Sequence, residues 1–183
     1  PHLLELAGDP GVAAIWLNLR GSLELDNSLP AIHAVNVHNA GYTGWNARVG
    51  VIDTGLDQAH PDVGNVGGCE DFTDASVSPP CDDTNGHGTH EAGIIFSNHT
   101  TYRGMAPLAE LYIAKVSKGG PLSGLVSAII SGMDWTLNQG SQIIQMSLGY
   151  QEFTSNGSSE LTRYVDAVVY SGATFVKSAG NIA

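Results

Sequence analysis

The chain has 183 residues, 42% of them hydrophobic, enough to bury a sizeable core in one domain. Eighteen acidic side chains against seven basic ones leave a net charge of −11, which argues against a nucleic-acid partner and against docking on an anionic membrane. No run reaches the roughly 18 apolar residues of a membrane span, and Pro1-His2-Leu3-Leu4-Glu5 lacks the charged-then-apolar layout of a secretory leader.

Residues 1 to about 27 read differently from the rest, with a turn at Asp9-Pro10-Gly11 and strand character from Val12 to Leu17. Ser28 and Pro30 then predict a helix capped at Ser28, running through His33 and Val37 and stopping near Gly41. Arg48 to Asp53 is a strand whose Val49-Gly50-Val51-Ile52 run suits a sheet covered on both faces. Cys69 and Cys81 flank an acidic, proline-bearing loop. A disulfide closing it is favoured over two free thiols and would place the protein in an oxidising compartment.

A helix is expected from His87 to about Ser97, followed by a strand from Glu110 to Val116. The turn Gly119-Gly120-Pro121 leads into a helix from Ser123 to about Gln139, where Leu125, Ile129, Met133 and Leu137 form an apolar stripe ending at Gly140. A strand from Gln142 to Leu148, a helix holding Leu161, Tyr164, Val165 and Val168, and a strand from Ala173 to Val176 complete the order. Strands alternating with helices predict a three-layer αβα domain with a mainly parallel sheet.

The chemistry concentrates in Asn85-Gly86-His87-Gly88-Thr89-His90, continued by Glu91-Ala92-Gly93. A histidine between two glycines at a helix start indicates close backbone approach, and the small residues Gly88, Thr89, Ala92 and Gly93 would let that helix lie deep. The positive end of the helix disfavours an imidazolium, so His87 needs a carboxylate to act as a base. Asp53, at the carboxyl end of its strand, is the candidate; alone it could equally be a strand-end cap. His90 and Glu91 do not complete a zinc-protease pattern, and His90 is read as a structural side chain on the same helix. Asn181 carries an amide suited to an oxyanion, while Gly119-Gly120 and Ser147-Leu148-Gly149 could offer strand edges to an extended peptide.

In their order, Val49 to Gly55 with His60-Pro61-Asp62, then Asn85 to Gly93, Gly104-Met105-Ala106-Pro107, Met146-Ser147-Leu148-Gly149 and Ser178-Ala179-Gly180-Asn181 resemble the subtilisin-like serine proteases over roughly residues 28 to 183. The resemblance implies a secreted serine endopeptidase with a polypeptide substrate. Asp53 and His87 match the acid and base of its triad, Asn181 the oxyanion side chain, and Ser147-Leu148-Gly149 one wall of the peptide cleft. The turn from Gly119 through Ser123 falls where the family places the other wall. Residues 1 to about 27 resemble the end of an inhibitory propeptide.

Two departures stand out. No Gly-Thr-Ser-x-Ala nucleophile context occurs, so the chain reads as the first half of such a domain, expected to be inactive alone and to need a serine from the remainder of its precursor. A catalytically inactive peptide-binding or regulatory module is the alternative. Glu91 stands where the family places an apolar or small residue. The chemistry requires no cofactor; Asp62 resembles a calcium ligand of many members, but the loop from Ser97 to Arg103 is short for partner ligands and no specific calcium site is predicted.

Overall fold

The computed structural model describes residues 25–73, 81–119, 126–149 and 157–179. The turn at Asp9-Pro10-Gly11 and the strand from Val12 to Leu17 lie outside these residues. The described elements are α1 (Leu25–Ala31), α2 (Ala34–Asn39), β1 (Arg48–Asp53), β2 (Val66–Asp71), α3 (His87–Phe96), β3 (Glu110–Lys115), α4 (Val126–Asn138), β4 (Ile143–Met146), α5 (Glu160–Tyr170) and β5 (Thr174–Lys177). The strands form one parallel sheet in the order β2-β3-β1-β4-β5, so β1 lies in the middle, in register with β3 on one side and β4 on the other.

Strand periodicity distributes the core. Val49 and Val51 of β1, with Leu111 and Ile113 of β3, face α3 and pack with Ala92 and Phe96. Ile52, Ala114, Ile144 and Met146 face the other way, onto Ile129 and Met133 of α4 and Leu161 and Val168 of α5. Helices therefore cover both faces, which is why β1 reads as a continuous apolar run rather than an alternating one. Asp53 continues the Val49–Val51 face and is buried beneath the start of α3. Helix α4 ends as expected: Gly140 has φ +79°, its amide donates to the Leu137 carbonyl and the Ser141 amide to that of Thr136.

One expectation fails, and one strand was not expected. The helix predicted from a cap at Ser28 begins at Leu25, so Ser28 and Pro30 lie inside it. Pro30 cannot donate a backbone hydrogen bond, and the chain breaks at His33 (φ +60°) before α2 starts. α2 is tied to the loop after α3 by His38 Nε2, 2.8 Å from the Met105 carbonyl. Strand β2 has no counterpart in the sequence reading, because Val66-Gly67-Gly68-Cys69-Glu70-Asp71 has neither β-branched density nor alternation. Its glycines answer to packing: a Cβ on Gly68 would lie 3.3 Å from both Trp135 and Tyr112, two rings set edge to face.

Glycine packing yields opposite signs at two positions. A Cβ on Gly50 would lie 2.7 Å from Cβ of Thr136, a fully buried residue of α4, whereas Gly93 in α3 has open space around it. Gly50→Ala is expected to cost about 1–3 kcal/mol through overpacking. Gly93→Ala is expected to stabilise by roughly 0.5–1 kcal/mol through helix propensity. Urea unfolding of the two variants beside the parent reads both.

Candidate active site

Asp53 ends the central strand and His87 opens α3, and the parallel crossovers bring those ends together. His87 Nδ1 lies 2.7 Å from Asp53 Oδ1. That oxygen also accepts the Thr54 amide at 2.7 Å. The Asp53 side chain is 0% exposed and that of His87 41% exposed, so the imidazole has one edge on the acid and the other toward solvent. Burial pushes the Asp53 carboxyl up, opposed by its hydrogen bonds from His87 and Thr54. His87 is raised above its ordinary 6.5, first by the hydrogen bond to Asp53 and then by the charges of Asp53, Glu91 and Asp83, against the effect of its own burial. With Asp53 ionised, the pair is one that supplies a strong base.

The approach of the two ends is built from small groups. Gly88 is buried, and a Cβ there would strike the Gly55 backbone and lie 3.2 Å from Asp53 Oδ1. Its amide donates to Thr54 Oγ1 at 2.9 Å. Thr54 in turn donates to Asp83 Oδ1 at 2.9 Å. Asp83 is the principal residue that sequence reasoning missed. It accepts the amides of Asn85, Gly86 and Thr89 and the Thr89 hydroxyl, and so does the work of an N-cap for α3 although it precedes His87 by four residues. Burial pushes its carboxyl up, but these donors outweigh it and hold the group below the ordinary value. The available signal was Asp83 placed two and three residues before Asn85-Gly86, the spacing of an Asx turn.

Cys69 of β2 and Cys81 meet at disulfide distance, with Cα atoms 5.8 Å apart, as expected of the pair. The link fixes the loop that carries Asp83, and the Cys81 carbonyl takes the Leu56 amide at 2.9 Å.

Among the other expected residues, Gly119 (φ +81°) packs against Asn85, two residues before His87. Ser147 also lies near α3: its hydroxyl donates to Glu91 at 2.8 Å. Leu148 packs on the α4–α5 side of the sheet, and Gly149 has open space around it. Gly120 and Asn181 lie outside the described residues. His90 does not pack in the core; its side chain is 53% exposed, 3.8 Å from the Glu91 carboxylate. Of the small residues expected to seat α3, Gly88 and Ala92 are buried, whereas Gly93 is not pressed by any neighbour. Hollows beside Glu160, Arg163 and Tyr164, and beside Leu137, Ser141 and Ala173, lie away from the dyad.

The domain is thus a parallel α/β sheet whose middle strand ends in an aspartate hydrogen-bonded to a histidine that opens the covering helix. A family model of the subtilases matches residues 44–183, and the chain belongs to that family. It is 40% identical to subtilisin E of Bacillus subtilis (strain 168) over 185 residues, covering 97% of this chain and 46% of the relative. It is 41% identical to subtilisin DY of Bacillus licheniformis over 155 residues (84% and 54%), and 37% identical to a thermostable alkaline protease of Halalkalibacterium halodurans over 187 residues (98% and 48%). The chain spans about half the length of these curated relatives.

Two substitutions test the site. Asp53→Asn is expected to lower the His87 pKa, since the hydrogen bond and charge that raise it are removed; histidine NMR titration reads the change. Asp83→Ala is expected to cost about 1–2 kcal/mol near neutral pH, as for loss of a helix cap. Because the folded carboxyl is depressed, that stabilisation is present above its ordinary 3.8 and fades as pH falls through the lower folded value, so the two unfolding curves should converge in acid.

Proposed function

We propose that this chain is the acid–base half of a serine endopeptidase, with Asp53 as the orienting acid and His87 as the general base. The observation that carries the proposal is the 2.7 Å contact between His87 Nδ1 and a fully buried Asp53 carboxylate, in a member of the subtilase family. With Nδ1 engaged, Nε2 is the nitrogen that takes the proton from a serine hydroxyl as the oxygen attacks the scissile carbonyl. Asp53 then balances the imidazolium, which returns the proton to the leaving amine.

In this reading the serine comes from the part of the precursor beyond these residues, and the chain by itself is inactive. Asn181 and a backbone amide hold the oxyanion. The substrate is a polypeptide laid between Gly119-Gly120 and Ser147-Leu148-Gly149 as an added strand. The protein is secreted, and residues 1–27 act as the end of a propeptide ahead of a catalytic domain beginning near residue 28. The Cys69–Cys81 link and the membership among subtilases support this placement. No helix among the described residues is long and apolar enough to cross a membrane.

A fluorophosphonate probe applied to the full-length protein tests the reading. Labelling is expected on one serine outside residues 1–183, and His87→Ala should slow it on the order of 100- to 10,000-fold, the range a general base contributes. A folded full-length protein that takes no label on serine would instead be an inactive peptide-binding or regulatory module.

A further inference from the structure

Glu91 stands on α3 one turn after His87, a spacing that puts the two Cβ atoms about 5–6 Å apart on one helix face. Its side chain is 20% exposed, and Oε2 accepts from Ser147 Oγ at 2.8 Å and from Gln145 Nε2 at 3.0 Å. Gln145 also donates to Ser147 Oγ, so the three side chains form a closed triangle between α3 and the carboxyl end of β4. Gln145 and Ser147 alternate with the core residues Ile144 and Met146 and lie on the α3 face of the sheet. A carboxylate is therefore tethered one helical turn from His87 by two neutral donors, with the largely exposed His90 3.8 Å from its other oxygen.

The surrounding charges fix the sign of its effect. His87 is faced by Asp53 from β1, by Asp83 from the loop ahead of α3 and by Glu91 from its own helix. His90, also on α3, is 3.8 Å from Glu91 Oε1 and largely in solvent. Lys115, buried at the end of β3 in register with Asp53, turns its ammonium to the Asp82 carbonyl. Gln145 and Ser147, from β4, are neutral.

We propose that Glu91 is a positioning residue for proton transfer: tethered by Ser147 and Gln145, its charge favours the imidazolium of His87, and its hydrogen bond to Ser147 joins the base-bearing helix to the strand end that borders the peptide cleft. The inference rests on the protease reading above and adds to it a second carboxylate that opposes the positive end of the helix. Glu91 is among the groups that raise His87, after Asp53 itself.

The test uses the full-length protein with Glu91→Gln, which keeps an acceptor for Ser147 but removes the charge, and Glu91→Asp, which keeps the charge. For unit charges about 6 Å apart at a partly hydrated site, Glu91→Gln should move the acid limb of kcat/KM down by about half a pH unit. The difference from the parent should shrink as salt is raised toward about 1 M, while Glu91→Asp should stay within about 0.2 unit of the parent. Histidine NMR should show the same displacement of His87 and needs no hydrolysis. A His87 displacement in a protein without proteolytic activity would keep the electrostatic role and remove the protease reading. Active protein in which Glu91→Gln leaves both the His87 titration and the acid limb unchanged overturns the proposal, as does Glu91→Asp moving them as far as Glu91→Gln.

Discussion

The amide of Gly88 donates to the Thr54 hydroxyl at 2.9 Å, and through this contact the first turn of α3 rests on the end of β1. The Thr54 hydroxyl in turn donates to Asp83, whose carboxylate accepts the free amides of Gly86 and Thr89 at the start of the helix. One short polar side chain just past the central strand thus joins the strand end, the loop and the helix. The Asp53–His87 distance is set by that backbone arrangement rather than by two flexible side chains finding each other. The disulfide adds a covalent hold on the same loop from the β2 side, and the Cys81 carbonyl on the Leu56 amide ties it again to the residues just past Asp53.

The electrostatics of the site run against its burial. A carboxylate with no exposed side-chain surface would ordinarily take up a proton, and Asp53 Oδ2 has no hydrogen-bond partner among the described residues. The imidazole and the Thr54 amide supply what favours the charge, both through the other oxygen. Such an arrangement costs stability; in the proposed function that cost leaves a base poised beside a counter-charge. Asp83 has the opposite balance: its donors exceed its desolvation, and it serves the framework.

The sequence disclosed what depends on local pattern. β1 reads directly from Arg48 to Asp53 because its apolar run has no competing interpretation, and α4 reads from its four-residue stripe and Gly140. His87 and Asp53 were legible as a pair because a helix-start histidine between glycines asks for a carboxylate. β2 was not legible, since it is a strand by virtue of its neighbours β3 and Trp135 rather than of its own residues. The start of α1 was misread because a proline after a serine imitates a first turn, whereas here the helix has already begun at Leu25. Asp83 escaped because its partners are backbone amides, which leave no trace in side-chain identity. The contacts of Glu91 with Gln145 and Ser147 bridge more than fifty positions of chain and required the fold to appear.

The tight seat of Gly50 on Thr136 has a further consequence. Because β1 is greasy on both sides, oil-and-water sorting alone would tolerate the strand sliding by one position, with Val and Ile simply trading places. Such a slip would carry Asp53 to the far side of the sheet, away from the imidazole, while leaving the interior nearly as well filled. The missing side chain at Gly50 acts as a notch that accepts Thr136 in one frame alone. The meeting of Asp53 with His87 is thereby written into a steric detail three residues upstream of the aspartate.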